Sequence, residues 1–166
     1  MQTRNIVVMG VAGCGKSSVG QMLAEALGAG FIEGDSFHPP ENIEKMRAGI
    51  PLDDDSRAGW LANLAEQLRR NRAQGQSAVL ACSALKRRYR DVLRAGDPEL
   101  RFVHLRGEPD LIAARMRERS GHFMPESLLA SQFADLEPPA ADERAIDIDI
   151  GAPLPALLRQ ILSTLE

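Results

Sequence analysis

The sequence predicts an α/β fold of three layers, in which a five-stranded parallel sheet lies between helices. Short apolar runs alternate with longer segments of helical periodicity along all 166 residues, which is the pattern of βαβ units. The first apolar run leads directly into a glycine-rich turn and a helix, which is the context of a phosphate-binding loop. Right-handed crossovers then bring the carboxyl ends of the strands to one edge of the sheet, where ligands bind in such folds.

The predicted elements follow one another in regular order. Strands are expected at short runs of apolar residues, and helices where apolar residues recur every three or four positions. The predicted strands are Asn5–Met9, Phe31–Glu33, Ala78–Cys82, Phe102–Leu105 and Ala145–Ile150. The predicted helices are Lys16–Leu27, Pro40–Arg47, Ser56–Ala73, Lys86–Arg94, Pro109–Glu118, Pro125–Ala134 and Leu154–Leu165.

Length and composition fit one domain that spans residues 1–166. A hydrophobic content of 44% is enough for one core, and a net charge of −3 gives no indication of a nucleic-acid or membrane partner. There is no signal-peptide pattern and no apolar run of membrane-spanning length. The two cysteines, Cys14 and Cys82, cannot build a disulfide framework. We therefore expect a cytoplasmic protein with reduced thiols.

The turn after the first strand fits the phosphate-binding pattern G-x-x-x-x-G-K-[ST]. Its residues are Gly10, Val11, Ala12, Gly13, Cys14, Gly15, Lys16 and Ser17. The glycines let backbone N–H groups face a polyphosphate, and the helix that starts here adds its dipole, so Ser18 is assigned to the same site. Lys16 supplies a positive charge for the β- and γ-phosphates, and the Ser17 hydroxyl can ligate Mg²⁺. The sequence therefore predicts that the chain binds a nucleoside triphosphate.

The residues that follow the second and third strands indicate which class of nucleotide-dependent protein this is. Asp35 follows the second strand, where it can accept a proton from an acceptor hydroxyl or hold Mg²⁺ through water; capping of the next helix is the alternative. His38 either contacts the substrate or is a loop histidine whose hydrogen bonds are formed within the protein. The third strand is followed by Ser83, whereas many P-loop proteins have an acidic metal ligand there. This difference disfavours a GTPase or motor ATPase and favours a small kinase.

Two pairs of basic residues fall near the predicted ligand edge. Lys86 and Arg90 are one turn apart at the start of a helix, where cations are disfavoured, so they are candidates to bind an anionic substrate. A solvated basic face is the alternative. Arg115 and Arg119 are one turn apart at the end of another helix. They either interact favourably with the dipole of that helix or belong to a lid at about residues 119–139. In the lid interpretation Arg115 stacks on adenine and Arg119 meets phosphate.

Four segments together resemble the gluconate kinase family of P-loop sugar-acid kinases. They are GVAGCGKS from Gly10, GDSFHPPENIEKMRAGIPLDDDSRAGWL from Gly34, CSALKRRYRDVLR from Cys82 and GHFMPESLLASQFADLEPP from Gly121. The first is generic, whereas the second and third are specific to the family. The resemblance implies transfer of the ATP γ-phosphoryl group to the 6-hydroxyl of D-gluconate, for the pentose phosphate or Entner–Doudoroff route. It also implies a nucleoside-monophosphate-kinase-like fold with a small helical lid, and a homodimer.

The resemblance also implies roles for individual residues. The expected catalytic residues are Lys16 and Arg119 at the phosphates and Asp35 at the acceptor hydroxyl. The expected gluconate pocket contains Asp35, His38, Arg47, Lys86, Arg90, His122 and Gln132. The expected ATP site contains the phosphate loop, Ser18, Arg115, Arg119 and Pro153, with Pro153 beside adenine. Two alternatives stay open: a related kinase for shikimate or a nucleoside monophosphate, and a nucleotide-dependent switch that hydrolyses ATP slowly.

Overall fold

A computed structural model describes residues 4–118 and 128–165 of the chain. Strands β1–β5 are Asn5–Met9, Gly30–Glu33, Ala78–Ala81, Arg101–Arg106 and Ile146–Asp149. Helices α1–α7 are Lys16–Leu27, Pro40–Arg47, Asp54–Ala73, Arg87–Gly96, Pro109–Glu118, Leu129–Asp135 and Leu154–Leu165. Short 3₁₀ turns lie at Gly34–Phe37 and Ala141–Glu143. Every predicted strand and helix is present, although residues 125–127 of the predicted sixth helix lie outside the described ranges.

The five strands form one parallel sheet in the order β2-β3-β1-β4-β5. The central strand is β1, in which Val7 lies opposite Leu80 of β3 and Phe102 of β4. Every residue of β1 is buried, because helices cover both faces of the sheet. The predicted fold class, a three-layer α/β fold with a five-stranded parallel sheet, is confirmed.

The core consists of two apolar clusters, one on each face of the sheet. Ile6 and Val8 of β1 pack with residues of α1, α5 and α7, whereas Val7 and Met9 pack with residues of α3 and α4. This alternation follows from the two-residue period of a strand. Each fully buried aliphatic side chain stabilises the fold by about 1.5–3 kcal/mol. The core therefore holds β1, and the turn that follows it, in the middle of the sheet.

Hydrogen bonds hold the loops after β1, β2 and β3 at the carboxyl edge of the sheet. The backbone N–H of Gly10, after β1, donates to the carbonyl of Ser83, after β3, at 3.2 Å. The indole N–H of Trp60 in α3 donates to the carbonyl of Gly34, after β2, at 2.8 Å. These bonds place the three strand ends around one cleft.

The longest helix, α3, begins two residues earlier than the sequence predicts. Asp53 caps it, because its carboxylate accepts a hydrogen bond from the backbone N–H of Ser56 at 2.8 Å.

Of the described helices, including α3 with its 20 residues, none is long and apolar enough to cross a membrane.

Candidate active site

The phosphate loop turns the chain sharply between β1 and α1. Gly13 and Gly15 have φ angles of +81° and +96°, in the left-handed region that favours glycine. A Cβ atom on Gly13 would lie 2.5 Å from Cγ of Met116, so the loop also packs too closely for a side chain there. Helix α1 starts directly after Gly15, and no described side chain caps its first turn. Its first N–H groups are therefore available to an anion, as in other phosphate sites at helix starts.

Lys16 and Ser17 lie at the start of α1, beside the end of β2. The ammonium group of Lys16 donates to the carbonyl of Val11 at 2.9 Å, which places its charge over the loop. The Ser17 hydroxyl donates to the carboxylate of Glu33. Because its proton is used on Glu33, the Ser17 oxygen keeps its lone pairs for a cation. Sequence reasoning missed Glu33, although its place at a strand end two residues before Asp35 was a signal.

The donors in this part of the cleft fit a magnesium ion that arrives with nucleotide phosphates. No group of three or more His, Cys, Asp or Glu side chains in the described ranges could hold a metal ion by itself. The oxygen donors that line the cleft beside the phosphate loop include the hydroxyl of Ser17 and the carboxylates of Glu33 and Asp35. Mg²⁺ prefers oxygen ligands, retains water, and is usually bound through one or two carboxylates together with substrate phosphates.

Several of the predicted acceptor residues line this same cleft. Asp35 and His38 enter it from the turn after β2, and Gln132 enters it from α6. The Gln132 side-chain oxygen accepts a hydrogen bond from the backbone N–H of Ala12, at 2.6 Å. The cleft is therefore bounded by the phosphate loop on one side and by the predicted gluconate-binding residues on the other.

His38 is buried and neutral beside Asp35. Its ring stacks on Trp60 with 3.9 Å between centroids, and its Nε2 lies 3.8 Å from Oδ1 of Asp35. Burial lowers the pKa of His38 to about 4, and the charge of Arg57 contributes in the same direction. At neutral pH the imidazole is therefore uncharged, and it acts as a hydrogen-bonding group.

Arg57 is a cleft cation that sequence reasoning missed. Of the described cleft residues, Lys16 and Arg57 are the ones with a permanent positive charge. Nη1 of Arg57 donates to the Tyr89 hydroxyl at 2.9 Å and to Asp135 at 3.2 Å. Within the described ranges these bonds use only Nη1, so the guanidinium has further N–H groups for an incoming carboxylate. Its signal in the sequence was its place inside the family-specific block.

A second groove, on the other side of the phosphate loop, brings together the predicted adenine-side residues. It is lined by Cys14, Gly15, Ser18, Arg115 and Pro153, among others. Arg115 donates to the backbone carbonyl of Ile150, the residue after β5, at 3.0 Å. The groove thus continues from the loop to the segment after β5.

Two predicted substrate residues, Arg47 and Lys86, lie outside the cleft lining. Arg47 is exposed at the end of α2. Lys86 is half-buried, and its ammonium group lies 3.1 Å from Oδ1 of Asp54. Asp54 in turn accepts a hydrogen bond from Tyr89, the partner of Arg57. Among the described residues, Lys86 is therefore linked to the cleft indirectly, through Asp54 and Tyr89.

The structure corrects the prediction that Arg90 binds substrate. Its side chain is fully buried and forms a salt bridge with Glu143 at 2.7 Å. It also donates to the backbone carbonyls of Ala84, Leu85 and Glu137, at 2.9–3.1 Å. Burial alone would raise the pKa of Glu143, but hydrogen bonds from Arg90 and then Arg94 outweigh it and lower the pKa to about 2. Arg90 therefore joins two loops inside the protein.

Two predicted lid residues lie outside the described part of the chain. Arg119 and His122 both fall between residues 118 and 128, so their predicted roles stay predictions. Of the predicted lid range, residues 128–139 are described, and they contain α6.

Comparisons with known proteins agree with this geometry. A family model described as shikimate kinase matches residues 12–134. A gluconokinase from Gluconobacter oxydans (strain 621H) is 50% identical over 148 residues, which cover 89% of this chain and 83% of that protein.

Two crystal structures are similar over nearly the whole chain. The structure of a gluconokinase from Sinorhizobium meliloti 1021 has a TM-score of 0.89 and 51% identity. The match covers 98% of this chain and 91% of that one. The structure of an unliganded sugar kinase from Janibacter sp. HTCC2649 has a TM-score of 0.95 and 48% identity. The match covers 98% of this chain and 94% of that one.

Proposed function

The chain belongs to the gluconokinase family of P-loop kinases, and we propose that its cleft transfers the γ-phosphoryl group of ATP to the 6-hydroxyl of D-gluconate. The observation that carries this proposal is the meeting of two sets of residues in one cleft. Lys16 and Ser17 of the phosphate loop line the cleft together with Asp35, a carboxylate at the next strand end. Phosphoryl transfer needs such positioning and charge neutralisation more than it needs covalent chemistry.

The donor side is assigned to the phosphate loop and the groove behind it. The N–H groups at the start of α1 would bind the phosphates, and Lys16 would move from the Val11 carbonyl to the β- and γ-phosphates. Arg115 and Pro153 line the groove on the far side of the loop and would enclose the adenine ring.

Magnesium would be held by the Ser17 hydroxyl together with phosphate oxygens and water. When bound, it neutralises the charge that develops on the transferring phosphoryl group. Glu33 would orient Ser17 by accepting a hydrogen bond from its hydroxyl, which leaves the oxygen lone pairs directed at the cation.

The acceptor side is assigned to Asp35, His38 and Arg57. Asp35 would accept the proton of the 6-hydroxyl as the new oxygen–phosphorus bond forms and ADP leaves. Arg57 would pair with the gluconate carboxylate, because it is a cleft cation whose guanidinium keeps further donors. His38, being neutral, would hydrogen-bond to a substrate hydroxyl.

Several expectations accompany this proposal. The cytoplasmic setting, the homodimer and the metabolic route of the product stay predictions. The same holds for Arg119 at the phosphates, for His122 in the lid, and for Arg47 and Lys86 as residues that approach gluconate when the cleft is filled.

An ADP-release assay with equal concentrations of gluconate, shikimate and AMP tests the acceptor. Shikimate belongs in the panel because a shikimate kinase model matches residues 12–134. We expect turnover with gluconate to exceed that with the other two by at least about 100-fold, since a site built around substrate hydroxyls rejects analogues that leave its polar groups unpaired. Equal or higher turnover with shikimate or AMP would refute the assignment of the acceptor.

A further inference from the structure

Asn42 lies between the candidate site and the start of α3, and its side chain is only 2% exposed. Its amide nitrogen is 2.8 Å from the backbone carbonyl oxygen of Ser56 and 3.2 Å from Nδ1 of His38. A backbone carbonyl can only accept hydrogen bonds, so the NH₂ group of Asn42, and not its oxygen, must face Ser56. The second N–H of the same group is then directed at the histidine ring.

This contact determines which nitrogen of His38 carries the proton. Because Nδ1 faces an N–H donor, Nδ1 must accept and cannot itself be protonated. The ring is buried and uncharged, so its one proton is on Nε2. The stack on Trp60 and the Trp60 hydrogen bond to Gly34 hold the ring in this orientation.

The protonated edge of His38 is the one that faces Asp35. Nε2 and Oδ1 of Asp35 are 3.8 Å apart, which is longer than a hydrogen bond. A hydroxyl oxygen placed between them can accept from the Nε2–H group and donate to the carboxylate. With the other tautomer, a ring lone pair and a carboxylate would both face this oxygen, and its single proton could satisfy only one of them.

We propose that Asn42 is a positioning residue that fixes His38 as the Nε2–H tautomer, so that His38 donates to a substrate hydroxyl held beside Asp35. The identity of that hydroxyl, as one of gluconate, rests on the proposed function. The tautomer itself does not, because it follows from contacts inside the protein. If Asn42 only joined α2 to α3, its replacement would change stability and leave the tautomer of His38 unaffected.

Nitrogen-15 NMR of the histidine rings tests the tautomer directly in the substrate-free protein. The chain has three histidines, and loss of one set of signals in His38→Gln assigns those of His38. We expect a protonated Nε2 and an unprotonated Nδ1 at neutral pH. A protonated Nδ1 would overturn the proposal whatever the acceptor proves to be.

The variant Asn42→Asp reverses the polarity at Nδ1. A carboxylate there accepts a hydrogen bond, so Nδ1 is expected to become protonated. We expect the KM for gluconate to rise about tenfold, the effect of losing roughly one hydrogen bond, with the KM for ATP within twofold of wild type. Asn63→Asp, the same change at an exposed position of α3, is the matched control. An unchanged tautomer, or an unchanged gluconate KM in a variant whose Nε2 is shown by nitrogen-15 NMR to have lost its proton, would contradict the proposal; a doubly protonated ring would keep the Nε2–H donor and leave the decision to the His38 variants.

Two changes at His38 keep the test decisive if Asn42→Asp does not fold. Glutamine can place an N–H donor near the position of Nε2, whereas asparagine is too short to do so. We expect His38→Gln to retain a gluconate KM within threefold of wild type and His38→Asn to raise it about tenfold. In the His38→Gln background, Asn42→Asp should have no further effect on KM, since the donor no longer depends on a tautomer. Equal KM values for the two His38 variants would refute the donor role.

Discussion

Replacement of Arg90 by methionine separates the structural role of this residue from a role in substrate binding. Methionine retains an unbranched side chain but removes the charge and every hydrogen bond of the guanidinium. In the wild-type protein these bonds reach the Glu143 carboxylate and three backbone carbonyls, all around a side chain with no solvent exposure. The change therefore leaves buried acceptors without their donor.

The size of the effect follows from these contacts. Removing one partner of a buried ion pair destabilises a protein by about 3–5 kcal/mol. Glu143 keeps a second partner, because Arg94 lies 2.6 Å from its carboxylate, so the lower end of this range applies. For a chain of this length, about 3 kcal/mol lowers the melting temperature by roughly 6–12 °C.

Urea unfolding followed by fluorescence measures this loss, because Trp60 is the one tryptophan in the sequence and is buried. Arg88→Met is the matched control: Arg88 is in the same helix, but it is exposed and pairs with Asp54 at the surface, where ion pairs contribute at most about 1 kcal/mol. The KM for gluconate of Arg90→Met should match wild type at a temperature where the variant is folded. A variant as stable as Arg88→Met, with a gluconate KM raised tenfold, would refute the structural role.

Three further predictions concern the cleft and the buried pair. Asp35→Asn should lower kcat by about 10²–10⁴-fold and leave the affinity for ATP, measured by titration, within threefold of wild type, because the carboxylate acts on the acceptor hydroxyl; a matching loss of ATP affinity would indicate a metal role instead. Glu33→Gln should raise the Mg²⁺ concentration needed for half-maximal rate several-fold, since Ser17 loses its charged acceptor; an unchanged Mg²⁺ dependence would exclude that role. The pKa of Glu143 is lowered from its ordinary value of 4.5 to about 2, so its contribution to stability is present above pH 4.5 and is lost as the pH falls toward 2. Urea unfolding at several pH values should show this loss in wild type and a smaller one in Arg90→Met.

The fold could be predicted because its signals are local. The helix Lys16–Leu27 starts at a glycine turn and ends before Gly28, whose left-handed conformation terminates it, and the structure has the same bounds. The start of α3 is harder to predict from the sequence, because Asp53, Asp54 and Ser56 are all of residue types that cap helices. Only the bond from the Ser56 N–H to Asp53 selects among them.

The site was predicted where its residues are close in sequence and missed where distant segments meet. The phosphate loop is one continuous stretch, so its pattern is visible without a structure. The local signals of Glu33 and Arg57 do not indicate a role, because each role depends on a partner, Ser17 or Tyr89, that lies 16 or 32 residues away. Arg90 was misassigned for the same reason, since nothing near it in sequence indicates the carboxylate of Glu143, 53 residues further on.

The measurement that tests the central claim most directly is phosphorus-31 NMR of a reaction that contains the purified protein, Mg²⁺, ATP and carbon-13-labelled gluconate. The cleft described above predicts that the γ-phosphate signal of ATP is replaced by that of a phosphate monoester whose phosphorus couples to carbon 6 of gluconate. It further predicts that Asp35→Asn slows this replacement without altering the product. Formation of ADP and inorganic phosphate alone, or of a monoester on another carbon, would contradict the account.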